Sequence, residues 1–194
     1  MTIWSTIKLI IISAVALIVL TYLTVDAPIK IEKKEIHLSD LPKTVELIGY
    51  EDQKFNTNSI IKKDTIIYVG NHESIVLAAD LAKMLDLPIG KFIIVSNISD
   101  APWFIKRWQA HTKNTNLKGE KQIPWIYDRD GKIRNFLQVR TSDAVKYFIY
   151  KVDDKGVISR VFIGNVKVGT IEGKMTQDEI NQNLSVAVEA IKNH

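Results

Sequence analysis

The chain has 194 residues, 46% of them apolar, with 26 Lys and Arg against 22 Asp and Glu and a formal net charge of +4. That apolar share can build a core of ordinary size and excludes a disordered tail. Cysteine is absent, which excludes disulfides, thiolate nucleophiles, cysteine-ligated zinc, iron–sulfur clusters and covalently attached haem.

Residues 9–25 read LIIISAVALIVLTYLTV and carry no charge. At 1.5 Å per residue a helix of this stretch spans about 26 Å, close to the hydrocarbon thickness of a bilayer. Trp4 and Tyr22 lie near its ends, where amphipathic rings favour the headgroup level. A secretory cleavage site needs small residues at the −3 and −1 positions. Only Val25-Asp26-Ala27, followed by Pro28, is on offer. The expectation is one uncleaved transmembrane anchor, with a cleaved signal peptide and a soluble periplasmic form as the alternative. Lysines flank both sides of the segment, at Lys8 and at Lys30, Lys33 and Lys34. Counting these charges would place the domain inside, but long domains translocate largely regardless of them; the expectation is a periplasmic domain on a single-pass inner-membrane anchor, with the inward orientation as the alternative.

Residues 26–42 are polar, with Pro28 and Pro42 as breakers, and read as a tether. Residues 43–194 read as one domain. Residues 44–49 suggest a short strand, and 54–56 a returning one. TIIYV at 65–69 is a β-branched run of the buried-strand type. Leu77, Leu81 and Leu85 then recur at helical spacing after a possible cap at Asn71 or Ser74, and Pro88 and Gly90 close that helix. FIIV at 92–95 is another buried-type strand. Pro102 opens a helix expected to run through Trp108. Residues 123–127 read as a strand, and Arg129-Asp130-Gly131-Lys132 as a hairpin turn leading into a strand over 133–139. Residues 146–152 and 157–163 form a second hairpin around Asp153-Asp154-Lys155-Gly156. In the last helix Thr176 and Glu179 make a capping box and Met175 and Ile180 a hydrophobic staple. Ile180, Leu184, Ala187, Val188 and Ile191 share one face.

Strand, helix, strand, helix, then a hairpin and a closing helix predicts an α/β fold: a thioredoxin-like mixed sheet flanked by helices, preceded by one N-terminal transmembrane helix. The segments IPWIYDRDG (123–131) and TSDAVKYFIYKVDDKGVISRVFIG (141–164) resemble parts of peroxiredoxin and thiol-oxidoreductase relatives of thioredoxin. More narrowly, Pro124-Trp125, Ser142-Asp143-Ala144-Val145, Asp154-Lys155-Gly156, and Thr176 with Glu179 resemble the YtfJ-like family of periplasmic thioredoxin-fold proteins. The resemblance spans roughly residues 65–190. It implies that a CxxC motif would sit at the start of the first helix and a cis-proline before the second hairpin. Here Ser74 and Leu77 fall near the two sulfur positions and Val145 near the proline. A cis bond at a non-proline residue costs about 2.5–4 kcal/mol, so a trans bond is expected. The family's thiol chemistry therefore does not carry over.

His72 and Glu73 lie where such a fold places its chemistry. His72 reads as an acid–base or metal group, or as a surface histidine in a capping turn. The lack of a second His or Cys at ligand spacing favours the turn and argues for no metal. Asp128 with Asp130, and Asp153 with Asp154, fit turns better than a calcium loop. No P-loop, GxGxxG or GxSxG is present, so no cofactor is expected. In Pro102–Trp108, Phe104 and Trp108 share a face, and Trp103 and Arg107 point elsewhere. Trp103, Arg107 and Trp108 read as a rim of the core or as an interaction patch. No basic stripe with stacking aromatics occurs, so nucleic acid is not an expected partner.

The sequence supports three readings of function. One is a non-catalytic binding or scaffolding module facing the periplasm, whose partners are the membrane and a protein that the sequence does not name. The second is a cysteine-independent enzyme using His72 and Glu73. A third reading is an accessory subunit of a membrane complex, in which the N-terminal helix packs against other helices.

Overall fold

The computed structural model describes residues 35–48, 50, 53–71, 73–97, 123–139 and 145–194, and Val15 besides. The chain divides into two units, residues 1–32 and 33–194, and the second holds the sheet. Among the described residues no helix is long and apolar enough to cross a membrane. Residues 9–25, the expected anchor, lie outside the described residues except for Val15, as do residues 98–122 with the expected helix from Pro102.

The strands are β1 (Ile36–His37), β2 (Thr44–Glu46), β3 (Lys54–Asn56), β4 (Thr65–Gly70), β5 (Phe92–Asn97), β6 (Trp125–Asp128), β7 (Lys146–Val152) and β8 (Val157–Asn165). The helices are α1 (Thr57–Ile60), α2 (Leu77–Leu85), α3 (Lys132–Phe136) and α4 (Gln177–Lys192). Six strands make one sheet in the order β1-β8-β7-β4-β5-β6, and β2 pairs with β3 apart from it. β4, β5 and β6 run parallel, whereas β7 is antiparallel to β4, β8 to β7, and β1 to β8. A β4–α2–β5 crossover followed by the β7–β8 hairpin and α4, with the hairpin beside β4, is the thioredoxin-like arrangement. The fold class rests on this strand order and direction.

All six residues of β4 are buried, which explains why its sequence shows no alternation: both sheet faces are covered. Ile66 and Tyr68 face the cluster that also holds Leu77, Leu81, Leu184, Val188 and Ile191 from α2 and α4. Ile67 and Val69 face the other cluster, with Val45, Ile61, Ile133, Leu137 and Phe148. Gly164 in β8 stands opposite Tyr147 in β7. A Cβ added there would collide with the Tyr147 ring, so only glycine lets that ring lie across the strand.

The expected hairpin around residues 129–132 is not formed. The chain turns at Gly131, whose φ is +65°, into α3 rather than into a returning strand. Asp128 decides this: its Oδ1 accepts from Ile133 N at 3.1 Å and its Oδ2 from Arg134 N at 2.8 Å. The carboxylate thereby satisfies amides that a first helical turn leaves open. Ile133 and Leu137, four apart, both reach the core, a helical spacing that the sequence reading took for a strand. The outer edge of β6 is met instead by Leu47, which bridges Ile126, and by Ile48 N donating to Trp125 O at 2.9 Å.

Candidate functional site at the start of α2

β4 delivers the chain to Asn71 at the carboxyl end of a parallel strand, where open α/β sheets place ligands. Asn71 Oδ1 accepts from Glu73 N at 3.0 Å and from Ser74 N at 3.3 Å, and Ile75 N donates to Asn71 O at 3.0 Å. Asn71 thus organises the turn that leads into α2. The nominal cap of α2 is Val76, which offers no side-chain acceptor. Both sequence-proposed caps, Asn71 and Ser74, therefore act before the helix proper begins.

Ser74 is fully buried. Its Oγ accepts from Asn71 N at 3.1 Å, and its one hydrogen faces Lys146 O at 3.2 Å and Asn71 Oδ1 at 3.3 Å. Its carbonyl accepts from the Tyr68 hydroxyl at 2.6 Å. Burial pushes the Tyr68 phenol well above its ordinary range, with the neighbouring Tyr147 adding to it, so Tyr68 acts as a fixed donor. Tyr147 stacks on Tyr68 with ring centroids 5.3 Å apart, and its hydroxyl donates to Asn183 Oδ1 at 2.5 Å. A Cβ on Gly70 would meet the Tyr68 ring at 2.8 Å and Ser74 Oγ at 2.9 Å. The space around Ser74 is filled.

Ser74 and Val145, chosen from sequence as the former sulfur and proline positions, are brought close together. Ser74 Oγ reaches the carbonyl of Lys146, the residue after Val145, and Val145 O accepts from Val166 N at 2.8 Å. Among the described residues no peptide bond is cis; the bond into Val145 begins at Ala144, outside them. Glu73 is partly buried, and its Oε2 accepts from Gly169 N at 2.9 Å and Ile171 N at 3.4 Å. Both amides go to the one oxygen, so Oε2 fastens the chain at Gly169 and Ile171 to the turn before α2. His72, Trp103, Arg107 and Trp108 lie outside the described residues.

Sequence reasoning missed the loop that Glu73 holds. Its partners are 96 and 98 residues away, and no local pattern marks them. It also missed a cleft of about 160 Å³ between the β2–β3 pair and the β6–α3 turn, lined by Glu46, Lys54, Tyr127, Asp128, Arg129 and Lys132 among others. Its charges are largely matched: Arg129 to Glu46 at 3.9 Å and Lys132 to Asp130 at 3.3 Å. Arg129 also lies over the Tyr127 ring, 5.3 Å from the centroid. Burial raises the Asp128 carboxyl above its usual range, against the hydrogen bonds from Arg134 and Ile133 that lower it. With both oxygens occupied, it is a poor metal ligand. Among the described residues no group of three His, Asp or Glu converges on a metal position.

No family model matches the chain, and no curated protein matches it. Solved structures are similar to it at low identity. Mycobacterium tuberculosis DsbF, in mixed oxidised and reduced forms, is 14% identical over 76% of this chain and 96% of its own, with a TM-score of 0.44. A secreted M. tuberculosis disulfide oxidoreductase homologous to E. coli DsbE is 16% identical over 76% and 98%, with a TM-score of 0.43. Xanthomonas campestris peroxiredoxin Q is 12% identical over 83% and 97%, with a TM-score of 0.45. Nothing of the chemistry named in those descriptions passes to this chain by such likeness.

Proposed function

We propose that this chain is a non-catalytic binding or scaffolding module, held at the inner membrane by residues 9–25 with its thioredoxin-like domain in the periplasm. The narrower likeness to YtfJ-like proteins, seen in the motifs of residues 124–179, belongs to the same reading. The observation that carries it is the state of Ser74. At the place where a redox relative needs an exposed nucleophile, this chain has a fully buried hydroxyl bonded to Asn71 and Lys146. Beside it the Glu73 carboxylate is committed to two backbone amides. Thiol chemistry has no atom to run on, and with both amides on Oε2, acid–base chemistry by Glu73 would fall to Oε1 alone. What this end of the sheet offers is a surface, including Val168, 69% exposed on the adjoining loop.

Photo-crosslinking in intact cells tests the reading. A photoreactive residue at position 168 is expected to give one discrete protein adduct, and the same residue at Ile89, 83% exposed on the turn after α2, none. Equal adducts from both positions, or none from either, overturn docking at this end. Carbonate extraction tests the anchor: the chain is expected to stay with the membrane. A soluble mature chain beginning near Pro28 would mean that residues 9–25 are a cleaved signal. A folded His72→Ala variant with unchanged phenotype is expected; loss of phenotype with the fold intact would favour an enzyme.

A further inference from the structure

The loop between β8 and α4 is built as a strap. Val166 and Met175, at its two ends, are buried in the core. Between them a single 3₁₀ turn, Thr170–Glu172, lies between Gly169 and Gly173, with φ of +84° and +85°. Glycine adopts this left-handed conformation without the cost other residues bear, so both ends of the turn are natural pivots. The turn closes on itself. Thr170 N donates to Lys167 O, Glu172 N to Gly169 O, Gly173 N to Thr170 O and Lys174 N to Gly169 O. The Thr170 hydroxyl also donates to Lys167 O, and Lys174 pairs with Glu172.

Among the described residues, two polar attachments tie residues 167–174 to the rest of the domain. One is Lys167 to Glu179 in the first turn of α4. The other is the Glu73 carboxylate, which receives the amides of Gly169 and Ile171. The second crosses to a different element, the turn into α2, and it grips the strap at a pivot.

We propose that Glu73 is a latch, a positioning residue that fastens this strap to the start of α2. Releasing it lets the turn Thr170–Glu172 swing on Gly169 and Gly173 while Val166 and Met175 stay in place. The consequence for partners rests on the docking proposal: the turn lies next to Val168 at the proposed docking end, so the latch sets whether that surface is presented closed or open. The latch itself stands on the geometry alone.

The test is hydrogen exchange on the full chain, comparing wild type with Glu73→Ala and Glu73→Gln. A hydrogen bond to a charged acceptor contributes enough that its loss speeds local exchange by about tenfold or more. Glu73→Ala is expected to raise exchange at the Gly169 and Ile171 amides by that factor, with β7 and the centre of α4 unchanged. Glu73→Gln keeps an acceptor oxygen and is expected to raise it less. Trypsin cleavage after Lys174 should quicken in the same order. Unchanged exchange at both amides in Glu73→Ala overturns the latch. So does a rise spread evenly through β7 and α4, since Glu73 would then support the fold as a whole. No partner enters this experiment, so the latch and the docking proposal can fail separately.

Discussion

The two helices on the same sheet face begin in opposite ways. α4 is started by its own neighbours: Thr176 Oγ1 accepts from Glu179 N at 3.3 Å, and Glu179 Oε2 accepts from Thr176 N at 3.0 Å. α2 is led in by a local turn at Asn71 and fastened from far away. Ser74 bonds across 72 positions to Lys146, and the neighbouring Glu73 across 96 to Gly169. A locally capped helix needs only its own sequence to know where it starts, whereas a remotely fastened one holds its place only once the sheet has formed. At this end of the sheet the described polar groups Asn71, Ser74 and Glu73 Oε2 all hold backbone in place.

The shared core under both helices sets the scale against which their starts are compared. Leu184 is fully buried on α4, and truncating a core leucine to alanine costs roughly 2–5 kcal/mol. Leu184→Ala is expected to show the largest loss in denaturant unfolding of the full chain; an unchanged midpoint would remove α4 from the core. Ser74→Ala comes next. It leaves a buried amide and carbonyl with one partner fewer, at about 1–3 kcal/mol. Thr176→Ala removes one exposed capping bond, at about 0.5–2 kcal/mol. If the cap variant loses more than the Ser74 variant, the contrast between local and remote starts is wrong.

That contrast also explains what could be read from the sequence. The β4 and β5 runs, the spacing of Leu77 and Leu81, and the Thr176–Glu179 box are patterns within a few residues, and each stands where it was expected. The mixture of parallel and antiparallel pairing followed from the succession of elements. Residues 133–139 were misread because Ile133, Leu137 and Val139 satisfy both a strand and a short helix, and the Asp128 carboxylate decides between them. At the candidate site the sequence singled out Glu73, Ser74 and Val145, and the fold brings Ser74 near the Val145–Lys146 segment. It could not say that Ser74 is buried or that Glu73 is taken, because both facts depend on chain segments that only the folded sheet brings near.

The smallest effect expected is a pH dependence at α4. The hydrogen bond from Lys167, then that from Thr176, holds the exposed Glu179 carboxyl below its usual range. A depressed folded pKa means stability that is present above the unfolded carboxyl value and is lost as pH falls through the folded one. Lys167→Met is therefore expected to flatten slightly the acid limb of a stability–pH curve and to change nothing at neutral pH and above beyond a constant offset. Because the Glu179 side chain is in contact with solvent, screening keeps the effect slight. A steeper acid limb in the variant would mean that Lys167 does not stabilise the ionised form.

The absence of native cysteine allows a direct test of the closed α2 start. Ser74→Cys places one thiol just before α2, in a chain with no other. Labelling by a disulfide reagent such as DTNB under native conditions reads its access. With position 74 fully buried, labelling is expected to be slow, limited by opening of the structure, and to become fast in denaturant. Rapid labelling of the folded protein at neutral pH would show an open, reactive helix start and contradict a fastened, non-catalytic end.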